Sequence, residues 1–276
     1  MTAQERPQRI PRPQIVLEVI ERVQLTPRLV RIIAGGSGIA AVEDNGSTDA
    51  YTKMLFAPAE AGLTPPYDME ELRGRVPIDL LPSRRTYTIR RFDLEAGRIW
   101  IDFVTHGDEG VAGPWAAGAQ PGDHVVLGGI GGGYAPDAEA DWHLLAGDES
   151  AIPAIASALE AMLADAKGIA FLEVQDESEQ LDLIAPDGID VRWLHRGDRA
   201  AGTTDLLVDA VRGLEWPTGR VQVFAHGERG AMKQLRPHLT DERGVDRTQL
   251  SLSAYWALGR QEDAFQAEKR EAVGQI

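Results

Sequence analysis

The chain has 276 residues, 43% hydrophobic and 26% charged, with a formal net charge of −15 and no cysteine. That length accommodates two domains, and the balance of apolar and charged residues excludes wholesale disorder. The acidic excess argues against nucleic acid or an anionic membrane as partner, and the lack of cysteine removes disulfides, thiolate metal sites and a cysteine nucleophile.

In chain order, residues 1–13 carry three prolines and three arginines and read as a loose arm without the apolar centre of a signal peptide. A cytoplasmic protein is the expectation. IVLEVIERV, RLVRIIAGG and YTKMLFAP carry the β-branched and aromatic runs of strands, and the acidic, proline-bearing stretch 59–82 reads as a loop. RRTYTIRRFD and GRIWIDFVTHG follow around the turn LEAG, and PGDHVVLGGIGGGY completes about six strands, a spacing that suggests a small antiparallel β-barrel. Beyond about residue 136 the pattern alternates. DWHLLAGD is a short strand, and AIPAIASALEAMLADAKG is a helix closed by Gly168. IAFLEVQ, DVRWLHRG, TTDLLVDAVRG, RVQVFAHG, ERGAMKQLRPHLT and QLSLSAYWALG continue the alternation of strand and helix, and QEDAFQAEKREAV is a terminal helix. The expected fold is a β-barrel domain over 14–136, then an α/β domain with a parallel sheet over 137–276.

SRRTYTIRRFD places four arginines around a Thr-Tyr-Thr centre in an acidic protein. Period-two geometry puts Arg85, Tyr87 and Ile89 on one face and Thr86, Thr88 and Arg90 on the other. A tyrosine ring suits a flat aromatic cofactor, an arginine two residues away suits a diphosphate, and Thr88 suits a flavin edge. A solvated hairpin strand would show the same residues. In VTHGDEGVAGPWAAGAQPGD, Gly110, Ala112 and Gly113 allow close backbone approach at a helix start. Trp115 either covers an aromatic ring or anchors that helix in the barrel.

Together, Arg85-x-Tyr87-Thr88-x-Arg90, His106 to Gly110, Trp115-Ala116 and Gln120 to Asp123 resemble the siderophore-interacting proteins, flavin-containing ferric-siderophore reductases of the ferredoxin-reductase superfold. HLLAGDESAIPAIASALEAM, FAHGERGAMKQLRPHL and YWALGRQEDAFQAEK extend the likeness in the same order. The resemblance implies FAD held by Arg85, Tyr87 and Thr88, bordered by His106 and Gly107, with Gly110, Ala112, Trp115 and Ala116 on the diphosphate and adenosine side.

It further implies an NADH or NADPH site at Asp148, Glu149, Ser150, Gly227 and Glu228, although no Gly-x-Gly-x-x-Gly is present. Asp148 and Glu149 would repel a phosphate there, which leaves the uncharged ring and ribose of the nucleotide. Ser150 is the expected helix N-cap, and Arg192, Arg196 or Arg199 could pair with a 2′-phosphate. A ferredoxin is a further candidate donor. For a ferric siderophore, substrate contacts fall to Lys53, Arg90 and Trp256. Two positions that are basic in the family are Ile130 and Ala257 here. The six histidines lack ligand spacing, so no protein-held metal is expected. The expected function is FAD-dependent ferric-siderophore reduction. A general flavin or quinone reductase and a non-enzymatic siderophore-binding protein are the alternatives.

Overall fold

The computed structural model describes residues 13–107, 110–269 and 271–276. Most of the N-terminal arm, Asp108, Glu109 and Arg270 lie outside the described residues.

Six strands, β1 (Ile15–Thr26), β2 (Leu29–Gly35), β3 (Tyr51–Phe56), β4 (Ser83–Asp93), β5 (Arg98–Val104) and β6 (His124–Gly131), close into an antiparallel barrel in the order β1-β2-β5-β4-β3-β6. Inward residues of alternating strands fill it: Leu17, Val19, Ile32, Met54, Ile89, Ile101, Phe103 and Leu127 are buried in one cluster. Two short helices decorate the barrel. One, α1 (Met69–Arg75), lies in the stretch expected to be loop; Asp68 caps it by accepting the amides of Glu70 and Glu71 at 3.0 Å. The other, α2 (Ala112–Gly118), turns Ala112 and Ala116 into the barrel core.

The rest of the chain builds β7 (Trp142–Asp148), β8 (Lys167–Val174), β9 (Gly188–His195), β10 (Val221–Glu228) and β11 (Leu250–Trp256), parallel in the order β11-β10-β7-β8-β9. Central β7 is buried along its whole length, as a strand covered on both faces must be. One face packs under α4 (Leu206–Arg212) and α5 (Arg229–Pro237). The other packs under α3 (Ile152–Ala161). This helix is shorter than expected: it ends at Ala161, and Gly168 belongs to β8. There its backbone passes so close to His143 O that a Cβ would lie 2.1 Å away. Ser150 is not the cap of α3. Ala151 holds that position, and the Ser150 hydroxyl donates to Asp148. The chain ends near α6 (Glu262–Glu268).

The two halves meet along β4. A bulge between Ile89 and Arg91 leaves Arg90 only 9% exposed, against α3. Its guanidinium donates to both oxygens of Glu160, and Ser157 Oγ returns a bond to Arg90 O at 2.7 Å. Glu179, beyond β8, adds a second tie by accepting from Thr26 Oγ1 at 2.5 Å and Arg28 N at 3.2 Å. A guanidinium this buried is tolerated because carboxylate and hydroxyl partners meet it. Arg90→Ala is expected to lower the unfolding free energy by about 2 kcal/mol, with Glu160→Gln accounting for most of the same loss in a double-mutant cycle. Urea unfolding of the four proteins checks this, and additive single effects would contradict the pairing.

Candidate functional site

Phe103 on β5 joins the two stretches that the sequence singled out. The Tyr87 ring lies against it with centroids 4.3 Å apart, and Trp115 of α2 approaches at 5.6 Å while also meeting Phe56 edge-on at 5.2 Å. Trp115 therefore anchors α2 in the barrel. Ala116 is fully buried and Ala112 nearly so, both packed into the barrel core. Burial pushes the Tyr87 hydroxyl up, with nearby Arg85 opposing and Glu262 reinforcing.

Arg85 stands opposite Met54 at the barrel rim. Its Nη1 donates to Arg84 O at 2.7 Å and faces Asp263, a largely exposed carboxylate 3.7 Å away. Most of its donors thus remain available to an anion. His106, Gly107 and Gly110 are exposed beyond β5, and both glycines adopt left-handed backbone (φ 63° and 80°) with open space where a Cβ would project. A fork-shaped cation at the rim and an exposed glycine turn leading into α2 fit the diphosphate of a flavin dinucleotide.

The opposite face of β4 is committed elsewhere. Thr86 donates to Glu262 of α6 at 3.0 Å, Thr88 shares a hydrogen bond with Tyr255 of β11, and Arg90 holds Glu160. The Thr88 hydroxyl is thus committed to Tyr255, and Arg90 to the seam with α3. The two positions where this sequence departs from the family's basic residues pack as apolar ones: Ile130, opposite Thr52 in β6, lies against the barrel core, and Ala257 is buried with Ala254 and Phe265. Lys269 lies over the Phe265 ring at 4.6 Å, and burial pushes its ammonium down, with Glu262 opposing and Lys53 of β3 reinforcing.

The second constellation forms at the carboxyl ends of β7 and β10. Asp148, 7% exposed, accepts from Ser150 N at 3.0 Å, Ser150 Oγ, Glu228 N at 2.8 Å and Trp256 Nε1 at 2.8 Å. Burial pushes this carboxyl up, and the four donors pull it back. Gly227 must be glycine, because its φ is 154° and a Cβ would stand 2.7 Å from Asp148 Oδ2. Glu228 caps α5 through the amides of Gly230 and Ala231. Asp148, Ser150, Gly227 and Glu228, grouped in the sequence reading, lie together here, and Trp256, assigned there to the substrate, joins them; Asp148 positions its neighbours with oxygens already bonded. Trp256 lies in this constellation, hydrogen-bonded to Asp148.

Beside them Glu149 pairs with Arg196 at 2.5 Å, and Arg196 is 5% exposed. Arg192 pairs with Asp190 at 2.7 Å, while exposed Arg199 donates to Arg196 O. A cavity of about 190 Å³ opens here, lined by Asp148, Glu149, Glu173, Thr203, Thr204 and Glu228 among others. The sequence reading missed Glu173, Tyr255 and Glu262. Nothing local marks them, since Thr86 and Glu262 meet across 176 positions. Among the described residues no cluster of histidine or acidic side chains has metal-holding geometry, and no helix is long and apolar enough to cross a membrane.

A family model described as a siderophore-interacting FAD-binding domain matches residues 18–134, and one described as siderophore-interacting protein matches 140–259. An uncharacterized protein of Mycobacterium tuberculosis is 46% identical, covering 94% of this chain and 96% of its own. The ferric vibriobactin reductase ViuB of Vibrio cholerae is 31% identical, covering 92% and 93%. The NADPH-dependent ferric-chelate reductase of Escherichia coli is 30% identical, covering 87% and 91%. Among solved structures, a siderophore utilization protein from T. fusca superposes with a TM-score of 0.77 at 41% identity, covering 91% and 96%. Phthalate dioxygenase reductase, at 0.61 and 15% identity over 91% and 70%, shares the ferredoxin-reductase-like fold.

His226, beside Gly227, is 4% exposed, stacks on Phe224 at 4.0 Å and shares a hydrogen bond with Ser251 at 2.9 Å. Burial, reinforced by the charge of Lys269, holds its pKa down to about 3. The unfolded chain takes up a proton here near pH 6.5 that the folded chain refuses until about pH 3, so its contribution to stability is lost as pH falls through that window. Replacing His226 by Phe is expected to make the loss of stability between pH 6.5 and 4.5 shallower by up to about 2 kcal/mol. Urea titrations across that range measure it, and parallel pH profiles would contradict the neutral burial.

Proposed function

The chain belongs to the siderophore-interacting protein family, and on that premise we propose that it is an FAD-dependent ferric-siderophore reductase, passing electrons from a nicotinamide nucleotide to ferric iron. The observation that carries the reading is the double role of β4. One strand presents Arg85 and Tyr87 at the barrel rim and docks, through Thr86, Thr88 and Arg90, on the half that bears the nucleotide-type strand ends. When bound, FAD supplies acceptance of an electron pair and its release one electron at a time. Arg85 clamps the diphosphate, and Tyr87, braced by Phe103, gives the ring system a fixed apolar edge. Gly107 and Gly110, which precede α2, would receive the remaining phosphate oxygens.

The iron complex is substrate, and among the described residues no histidine or acidic cluster has the geometry to hold the metal. Reduction weakens its hold on hard-oxygen chelators, and the metal leaves. Lys53 and Lys269 are the cations that would meet an anionic chelate at the barrel edge, with Glu262 beside them in opposition. No side chain has to act as acid or base in this scheme. The apolar Ile130 and Ala257 favour a second reading, a general flavin or quinone reductase on the same scaffold, because a less anionic oxidant needs fewer cations. Ferrous-trap assays with several ferric siderophores, run beside quinones, separate the two.

Arg85→Ala is expected to weaken FAD retention at least about tenfold, as loss of a charge-assisted clamp should, with Arg85→Lys intermediate. Flavin absorbance per polypeptide and calorimetric titration of the apoprotein measure this. Wild-type flavin content in Arg85→Ala would place the cofactor elsewhere.

A further inference from the structure

We propose that β9, the outer strand of the parallel sheet, pairs antiparallel with β9 of a second copy of this chain, so that two protomers share one continuous sheet about a symmetry axis at Val191. The inference concerns assembly and is independent of the reductase reading.

β9 ends the order β11-β10-β7-β8-β9, so it has a strand neighbour on one side only. Its register with β8 runs from Gly188 to His195 without a bulge. Arg196 N donates to Val174 O at 3.1 Å, and strand alternation therefore turns the backbone groups of Asp190, Arg192 and Leu194 towards β8. Those of Ile189, Val191 and Trp193 face outward. Ile189 N donates to Pro186 O at 2.9 Å within its own turn, whereas among the described residues no backbone bond from outside the sheet reaches Val191 or Trp193. A row of unpaired donors and acceptors along an edge is a template for another strand.

The run Ile189-Asp190-Val191-Arg192-Trp193 specifies which strand fits. Laid antiparallel against itself about Val191, it sets Val191 opposite Val191, Ile189 opposite Trp193, and Asp190 opposite Arg192. Val191 then exchanges both backbone bonds with its counterpart, and Trp193 N donates to Ile189 O. The apolar pairs lie on the face that packs under α3, where Ile189, Val191 and Trp193 belong to one cluster. The charged pairs lie on the other face, between hydrogen-bonded pairs, where opposing Cα atoms come within about 4.5 Å. Asp190 and Arg192 already bond along their own strand at 2.7 Å, yet their side chains stay 56% and 54% exposed and keep capacity for a second partner. In the pair, charges of alternating sign close into a ring, and none is left buried alone. Slipping the strands by two residues brings Asp190 onto Asp190 or Arg192 onto Arg192. Slipping by one sets outward backbone groups against groups already bonded to β8. Charge, the usual protection of an edge strand, here selects one register and one partner.

Sedimentation velocity on the purified protein from about 1 to about 300 µM, a range suited to a small interface, measures the association. The expected result is a monomer that converts to a dimer as concentration rises. Asp190→Arg and Arg192→Asp are each expected to weaken the dimer at least about tenfold, because like charges then face each other. An equimolar mixture of these two variants is expected to recover it as a heterodimer, since both opposite-charge pairs re-form. Val191→Pro, which removes an outward N–H and is tolerated on an edge strand, is expected to leave a monomer across the range. Three results would overturn the inference: a wild-type monomer at every concentration, a dimer equally strong in both charge-reversed variants, or a mixture of the two that stays monomeric while each remains folded by circular dichroism.

Discussion

A single strand with two obligations governs this molecule. β4 must keep Tyr87 and Ile89 in the barrel while Thr86, Thr88 and Arg90 hold the second half of the chain. Strand alternation alone delivers the two faces, and the bulge at Ile89–Arg91 adds the twist that sets Arg90 against α3. Because Arg90 is nearly buried, its ion pair with Glu160 is demanding to break, and the seam is held by a charge that has no better place to go. Any group gripped by Arg85 at the rim is thereby kept in register with the ends of β7 and β10.

Those strand ends are organised around Asp148. A buried carboxylate with four donors costs desolvation energy and offsets it by fixing Ser150, Glu228 and Trp256 relative to one another. Gly227 is the backbone concession that lets β10 come so near. The same geometry assembles Glu149, Glu173 and Glu228 around one cavity, so the architecture that orders the strand ends also sets their electrostatic sign. A chain with a net charge of −15 thus concentrates negative charge at one end of the sheet and keeps Arg85, Lys53 and Lys269 around the barrel edge.

Much of this is legible in the residues. Runs of β-branched residues with turns between them foretell the barrel, and alternation beyond residue 136 foretells the parallel sheet. The failures are physical and local. Helix α1 is hidden by the prolines around it, although Asp68 followed by Glu70 and Glu71 is a capping signal. Helix α3 reads as too long because LADAKG, residues 163–168, has the composition of a helix end closed by glycine; the chain instead leaves the helix at Met162 and goes on to start β8. At the site, Tyr87 and Trp115 can be picked out and do meet on Phe103, but Arg90 cannot be assigned to the seam. Its partners come from a helix some 70 positions away, and no local pattern announces them. Ile130 and Ala257 are readable as departures from the family pattern; that each is held apolar by packing emerges only from the fold.

The most direct test starts from the purified protein under anaerobic conditions, with its flavin bleached by light and a chemical donor, and then adds a ferric siderophore together with a ferrous-iron trap. The account predicts return of the yellow colour in step with trapped ferrous iron, at about two irons for each flavin. A colourless protein that takes up no FAD, or a bleached flavin that stays bleached while ferric chelate is in excess, would contradict it.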